Sequence, residues 1–250
     1  MKLSVVGCSG SMSGPAGPAS CYLVQSESTS IALDFGPGAM GQLLNVIDPA
    51  GLDAIVLSHL HADHCADLVG MQVYRRWFPG NTMGPIPVYS PGDGLARTRN
   101  IGGDDESEDY AGEFDFRTVA PGDSVMVGDL SLSFTEAWHP VPAVATRITS
   151  PEGRTLAYSG DTDTCEGQVV AARGVDTYLC EAAFEKDRDD VRGIHLTGQR
   201  AGELAATAGA SRLILTHLQP WTDPATVSRE ARDMFDGEVE VAVQGAVYII

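Results

Sequence analysis

The chain has 250 residues, 43% of them apolar, which suits one large α/β domain or two small ones, with a real core. Against 16 basic residues stand 34 acidic ones, a formal charge of −18 that favours solubility and argues against a track for a long polyanion. No apolar stretch approaches the ~20 residues of a membrane span, the start MKLSVVGCSGS is too short for a secretory signal, and five scattered cysteines without a CxxC fit a reduced, cytoplasmic protein.

In chain order, KLSVVG (2–7) reads as a first strand, followed by a Gly/Ser/Pro-rich loop to Ser20. CYLVQS (21–26) and SIALDFG (30–36) read as two strands of a hairpin. GAMGQLLNVI (38–47) has helical spacing, and DAIVLSH (53–59) is a buried strand with consecutive apolar positions. Residues 64–77, HCADLVGMQVYRRW, predict a helix, and IPVYSP (86–91) a strand ended by Pro91-Gly92. The acidic run GGDDESEDYAGEFD (102–115) reads as a solvated or mobile loop, with a lid over a site as the other reading. Strands follow in EFDFRTV, SVMVG, LSLSFTEAWH, AVATRITS and RTLAYSGDT. The chain then alternates: helix 166–173, strand 176–182, helix 197–208, strand 212–217, helix 224–235 and strand 239–243. No long linker interrupts this, so strands mixed with βα units predict a layered α/β architecture over 1–250.

The chemistry concentrates in LSHLHADHCADLVG (57–70), which holds three of six histidines. On extended backbone His59 and His61 point to one side, so both imidazoles can meet one metal ion. Asp63 and His64 lie at the turn into the helix and can aim at a neighbouring point. Imidazole and carboxylate donors suit Zn²⁺ and tolerate Mn²⁺ or Fe.

His59-Leu-His61-Ala-Asp63-His64 after a strand resembles the motif of the metallo-β-lactamase superfamily of metallohydrolases. The family pattern also wants a later His, Asp and His at strand ends, and the chain supplies His139, Asp161 in AYSGDT and His217 in RLILTHL. The resemblance implies an αββα sandwich, two mixed β-sheets flanked by helices. It also implies two divalent ions: His59, His61 and His139 on one, Asp63, His64 and His217 on the other, Asp161 bridging. Such a pair lowers the pKa of a shared water and makes hydroxide available near neutral pH. Taken singly, Asp161 also reads as an Asx-turn residue, His139 as a strand end and His217 as a core histidine.

His195, in GIHLT before a helix with Thr197 as N-cap, resembles the histidine that faces the scissile phosphate in ribonuclease Z-like members. That resemblance gives it the leaving oxygen; in the mechanism expected here Asp63, besides ligating, takes the water's proton. Where ribonuclease Z has a His-Glu pair, this chain has Cys180-Glu181. Glu181 can still orient His195, while Cys180 reads as a buried thiol.

SGDT with HLT points to the phosphodiesterase branch. Ribonuclease Z grips tRNA with a Gly- and Lys-rich arm that is not found here. The chain resembles compact bacterial cyclic-nucleotide phosphodiesterases of an atypical class II type that act on cyclic AMP. The expectation is therefore a two-metal enzyme in which hydroxide attacks the phosphorus of a 3′,5′-cyclic nucleotide. A ribonuclease Z-type RNA processing enzyme, a thioester or lactone hydrolase and a non-catalytic binding module on the same fold are the alternatives. A small substrate, no membrane and a possible homodimer complete the expectation. Weaker candidates for substrate contact are Ser9 in the glycine-rich loop, Arg147 in TRITS and Trp221 after His217; each also reads as loop, surface or packing residue.

Overall fold

The computed structural model describes residues 1–80 and 82–250. Its first half runs β1 (Lys2–Gly7), β2 (Cys21–Gln25), β3 (Ser30–Leu33), α1 (Ala39–Leu43), β4 (Ala54–Val56), α2 (Ala62–Cys65), α3 (Leu68–Trp77), β5 (Ile86–Ser90), α4 (Gly94–Gly102) and β6 (Phe114–Thr118). The second runs β7 (Ser124–Val127), β8 (Leu130–Glu136), β9 (Val144–Thr149), β10 (Thr155–Tyr158), α5 (Glu166–Ala172), β11 (Thr177–Glu181), α6 (Gly198–Ala208), β12 (Arg212–Thr216), α7 (Pro224–Arg232) and β13 (Glu238–Val241). A final strand, β14 (Val247–Ile249), returns to β1.

Among the described residues the strands form two seven-stranded mixed sheets, ordered β14-β1-β2-β3-β4-β5-β6 and β13-β12-β11-β10-β9-β8-β7. Alternating side chains divide the apolar residues into three layers. Leu3, Val5, Tyr22, Ile31 and Leu33 of the first sheet meet Leu132, Phe134, Ile148, Leu156 and Tyr158 of the second. The opposite face of the first sheet packs on α1 and α3 through Val6, Leu23, Ile55, Leu43 and Met71. The outer face of the second packs on α5, α6 and α7 through Tyr178, Cys180, Leu213, Ala205 and Val227. This is the αββα sandwich. Cys180 is a buried thiol in the helix-facing layer, its pKa pushed far up by burial.

Four elements differ from the sequence reading. The third strand stops at Leu33, because Asp34 turns into the left-handed region at φ 56. The helix expected over 64–77 is broken into α2 and α3, where the Asp67 N–H leaves the helical ladder for the Phe35 carbonyl. Helix α4 and strand β14 had no counterpart in that reading. The acidic run is fastened to the helices: Arg76 of α3 pairs with Glu108 and Glu113, and Tyr110 is buried against Phe114. No helix among the described residues is long and apolar enough to cross a membrane.

Candidate metal centre

Ligands in mixed sheets gather beyond the carboxyl ends of parallel strands, and here those ends carry the polar residues. The segment after β4 gives His59, His61, Asp63 and His64. Asp161 follows β10, Glu181 ends β11, and His217 follows β12. His139 follows β8, and its neighbourhood is drawn in by bridges from His59 to Ala143 and from Trp138 to Asp163. Two glycines permit the close approach. A Cβ on Gly36 would stand 2.0 Å from the Asp63 carbonyl oxygen, and one on Gly10 2.0 Å from that of His217.

Three groups of donor atoms each lie within 4.8 Å of one another: two adjacent sets built on the motif residues, and a third of Asp161, Glu181 and His195. In the first, the His61 Nδ1 lies 3.1 Å from the Nε2 atoms of both His59 and His139. The second comprises Asp63, His64, Asp161 and His217. Here the His64 Nε2 is 3.2 Å from Asp63 Oδ2 and from Asp161 Oδ1, and the His217 Nε2 is 3.3 Å from Asp161 Oδ2. Asp161 also stands 3.7 Å from the His59 Nε2, so its carboxylate lies between the sets.

Neighbours fix the tautomers, and they leave lone pairs aimed inward. His139 Nδ1 donates to the Ile194 carbonyl at 2.9 Å. Ser58 Oγ spends its proton on Asp34, so it accepts from His59 Nδ1 at 3.1 Å. His64 Nδ1 donates to Asp34 Oδ2 at 2.7 Å. The inward nitrogens of His59 and His139 are therefore lone pairs that converge on the His61 Nδ1. The His64 Nε2 and Asp161 Oδ1 are buried without any hydrogen-bond partner. Three imidazoles beside two imidazoles and two carboxylates, their donor atoms converging within a few ångströms, fit a pair of divalent cations.

The titration behaviour follows from the same crowding. Burial, then the neighbouring histidines, hold His59 well below its ordinary pKa despite Asp161. His61, His139 and His217 are lowered as well, by burial first. His64 is the exception, since Asp161 and Asp34 outweigh its burial and raise it. Asp161 resists burial through His217, His64 and His59, and stays ionised far below the carboxylate range. Asp63 does so through His64.

Beside the second set lies His195, with its ring centroid 5.4 Å from that of His217 and 5.8 Å from that of His139. Its Nδ1 meets Glu181 Oε1 at 2.9 Å. Burial works against the imidazolium, but Glu181 outweighs it and pushes the pKa up to about 9. Glu181 is fully used, taking Thr162 N–H and His195 on one oxygen and Ala183 and Leu196 N–H groups on the other. That makes it an anchor for His195 rather than a further donor to a cation.

The three weaker candidates do not join this cluster. Arg147 is a correction: its guanidinium donates to the carbonyls of Ala171 and Arg173 at the end of α5, where a cation satisfies the open helix terminus. Ser9 is a second correction. Its hydroxyl donates to the Gly17 carbonyl and its N–H to that of Pro18, so both are spent within the loop. The loop instead offers Ser11, whose N–H faces the His217 Nε2 at 3.2 Å from a left-handed backbone. Trp221 is exposed on the loop after His217, its carbonyl held by Arg188.

Sequence reasoning missed Asp34. It is fully buried and accepts from Ser58 N–H, Ser58 Oγ, Tyr158 Oη and His64 Nδ1. The signal was a carboxylate closing the apolar run IAL, a place where a core has no use for charge.

This fold and site define a class. The chain belongs to the beta-lactamase superfamily: the family description "Beta-lactamase superfamily domain" matches residues 29–218. Within it the chain is a metallo-β-lactamase-fold hydrolase related to ribonuclease Z and YhfI. It is 42% identical over 248 residues to the Mycobacterium tuberculosis protein Rv1339, covering 97% of this chain and 90% of that one. It is 29% identical over 250 residues to the probable metallo-hydrolase YhfI of Bacillus subtilis, covering 99% of both. The crystal structure of that protein superimposes with a TM-score of 0.89 at 28% identity, over 99% of this chain and 98% of the other. Ribonuclease Z of Methanopyrus kandleri is 30% identical over 252 residues, 85% of each chain.

Proposed function

We propose that the chain is a two-metal phosphodiesterase whose substrates are small phosphodiesters, 3′,5′-cyclic nucleotides and cyclic AMP in particular. The observation that carries the phosphodiester reading is His195. It is an imidazole held by a buried carboxylate as a proton donor, at the edge of two converged donor sets. His59, His61 and His139 would hold one cation, Asp63, His64 and His217 the other, with Asp161 shared. When bound, the cations supply neutralisation of the nonbridging oxygens and an activated water. The protein then has three tasks. Asp34 and the Ile194 carbonyl keep the His64 and His139 lone pairs aimed inward. Asp63, ionised and partly open to solvent, is placed to take the water's proton. His195 gives its Nε2 proton to the departing alkoxide, with Glu181 stabilising the imidazolium that serves as the acid.

The small-substrate part rests on charge. With −18 overall, long RNA would be repelled before it reached the site, whereas a single phosphodiester needs only the cations and a few donors. The ribonuclease Z reading stays as the second one, favoured by the 30% identity to the M. kandleri ribonuclease Z. A hydrolysis panel on Zn²⁺- and Mn²⁺-loaded protein separates them: 3′,5′-cyclic AMP, 2′,3′-cyclic AMP, bis(p-nitrophenyl) phosphate and a 3′-extended tRNA. The expected result is preferential cleavage of 3′,5′-cyclic AMP. Cleavage of the tRNA with cyclic AMP untouched would replace the proposal with the second reading.

A further inference from the structure

Asp163 is fully buried, two residues beyond Asp161, and has no part in the donor sets. Its carboxylate takes the N–H groups of Thr164 and Gly193, each at 2.7 Å. It also takes Nε and Nη2 of Arg192, at 2.6 and 3.2 Å, and Nη1 of Arg200. Its own N–H donates to the Trp138 carbonyl at 2.8 Å, so the residue also grips the strand end that carries His139. The Arg192 guanidinium lies over the Trp138 ring, 5.7 Å from its centroid. Gly193 has a left-handed backbone, φ 77, and sits under the indole, where a Cβ would stand 3.1 Å from Nε1.

The next residues do the site's work. The Ile194 carbonyl fixes the His139 tautomer, His195 docks on Glu181, and the Leu196 N–H does the same. Segment 192–196 is thus fastened at both ends by buried carboxylates, Asp163 at Arg192 and Gly193, Glu181 at His195 and Leu196. The peptide between Ile194 and His195 is planar and stiff, so a shift of the Ile194 carbonyl shifts His195 with it.

We propose that Asp163 is a positioning residue: by docking Gly193 it aims the Ile194 carbonyl at His139, and so couples filling of the three-histidine site to the placement of His195. The inference rests on the metal-centre reading above. Partners that orient a ligating imidazole typically contribute 10–100-fold to metal affinity, which gives the expected size.

Zinc titration of the full chain by calorimetry with a competing chelator tests it, with hydrogen exchange of 192–196 as a second readout. The variants are Asp163→Asn and Gly193→Ala. The second leaves every buried charge paired and displaces Gly193 through backbone strain and its Cβ against Trp138, so it serves if the first does not fold. Arg76→Ala is the control, a loss of two ion pairs on α3 away from segment 192–196. The wild type is expected to bind two zinc ions, and zinc to slow exchange at 192–196. In both docking variants one of the two ions should weaken about 10–100-fold, the protection of 192–196 by zinc should disappear, and the control should keep both. Two zinc ions bound within twofold of wild type in Asp163→Asn and Gly193→Ala, with only the melting temperature lowered, would make Asp163 a purely structural residue and overturn the inference. A wild type that takes up fewer than two zinc ions overturns the metal-centre reading itself, and this inference with it.

Discussion

The two halves of the molecule are built to one plan and load the site in opposite ways. Each sheet has three antiparallel pairings followed by three parallel ones, β14 to β3 then β3 to β6, and β7 to β10 then β10 to β13. The first half delivers His59, His61, Asp63 and His64 from six consecutive residues after β4. The second delivers one residue per strand end or loop: His139, Asp161, Glu181, His195 and His217. A compact motif sets its geometry by local alternation of side chains, whereas scattered residues depend on register and on the two sheets packing face to face. The first half therefore sets four donors by local geometry, and the second adds its own only through the packing of the two sheets.

The sharpest way to break this arrangement is Asp161→Ala, because its carboxylate touches donors of both halves. Turnover of bis(p-nitrophenyl) phosphate should fall below detection, and the bound-metal count measured by atomic emission should fall below two, with native circular dichroism. His195→Ala should spare the metal count and lower turnover by ~10²–10⁴-fold. A loss under tenfold in that steady-state assay would remove His195 from the acid role. On the first half, Asp34→Ala strands the His64 Nδ1, Ser58 and Tyr158 in the core. Breaking a buried ionic pair typically costs about 3–5 kcal/mol, so urea unfolding should show a loss of that size.

The mildest test concerns pH. Glu181 holds the His195 imidazolium up to a pKa of about 9 against an ordinary 6.5. Its protonated form is lost as pH rises through that value, so the turnover profile should fall on the alkaline side. The same pair's contribution to stability is complete below about pH 6.5 and lost as pH rises through about 9. In Glu181→Gln the alkaline limb should move toward the ordinary value; an unmoved limb would assign it to another group.

The comparison also explains what could be read from the sequence. Buried consecutive apolar runs located most strands, and the six-residue motif marked its half of the site without help. His139, 78 residues from His61, and Asp161 and His217 were legible only through resemblance, since no local spacing links them. Asp34 escaped because its task is set by a left-handed turn after β3 and by Tyr158 from the other sheet. Arg147 and Ser9 were misassigned because a polar residue near a motif in sequence says nothing about which carbonyls it will meet. Helix α4 was missed because the segment after the Pro91-Gly92 strand end was assigned no element, although Asp93 caps it.

The central claim is that both halves meet in one binuclear centre. Anomalous diffraction at the zinc edge, from crystals of the zinc-loaded protein, tests it most directly. Two peaks are predicted, one among His59, His61 and His139, the other among Asp63, His64, Asp161 and His217. A single peak, or one lying between Glu181 and His195, would contradict the account.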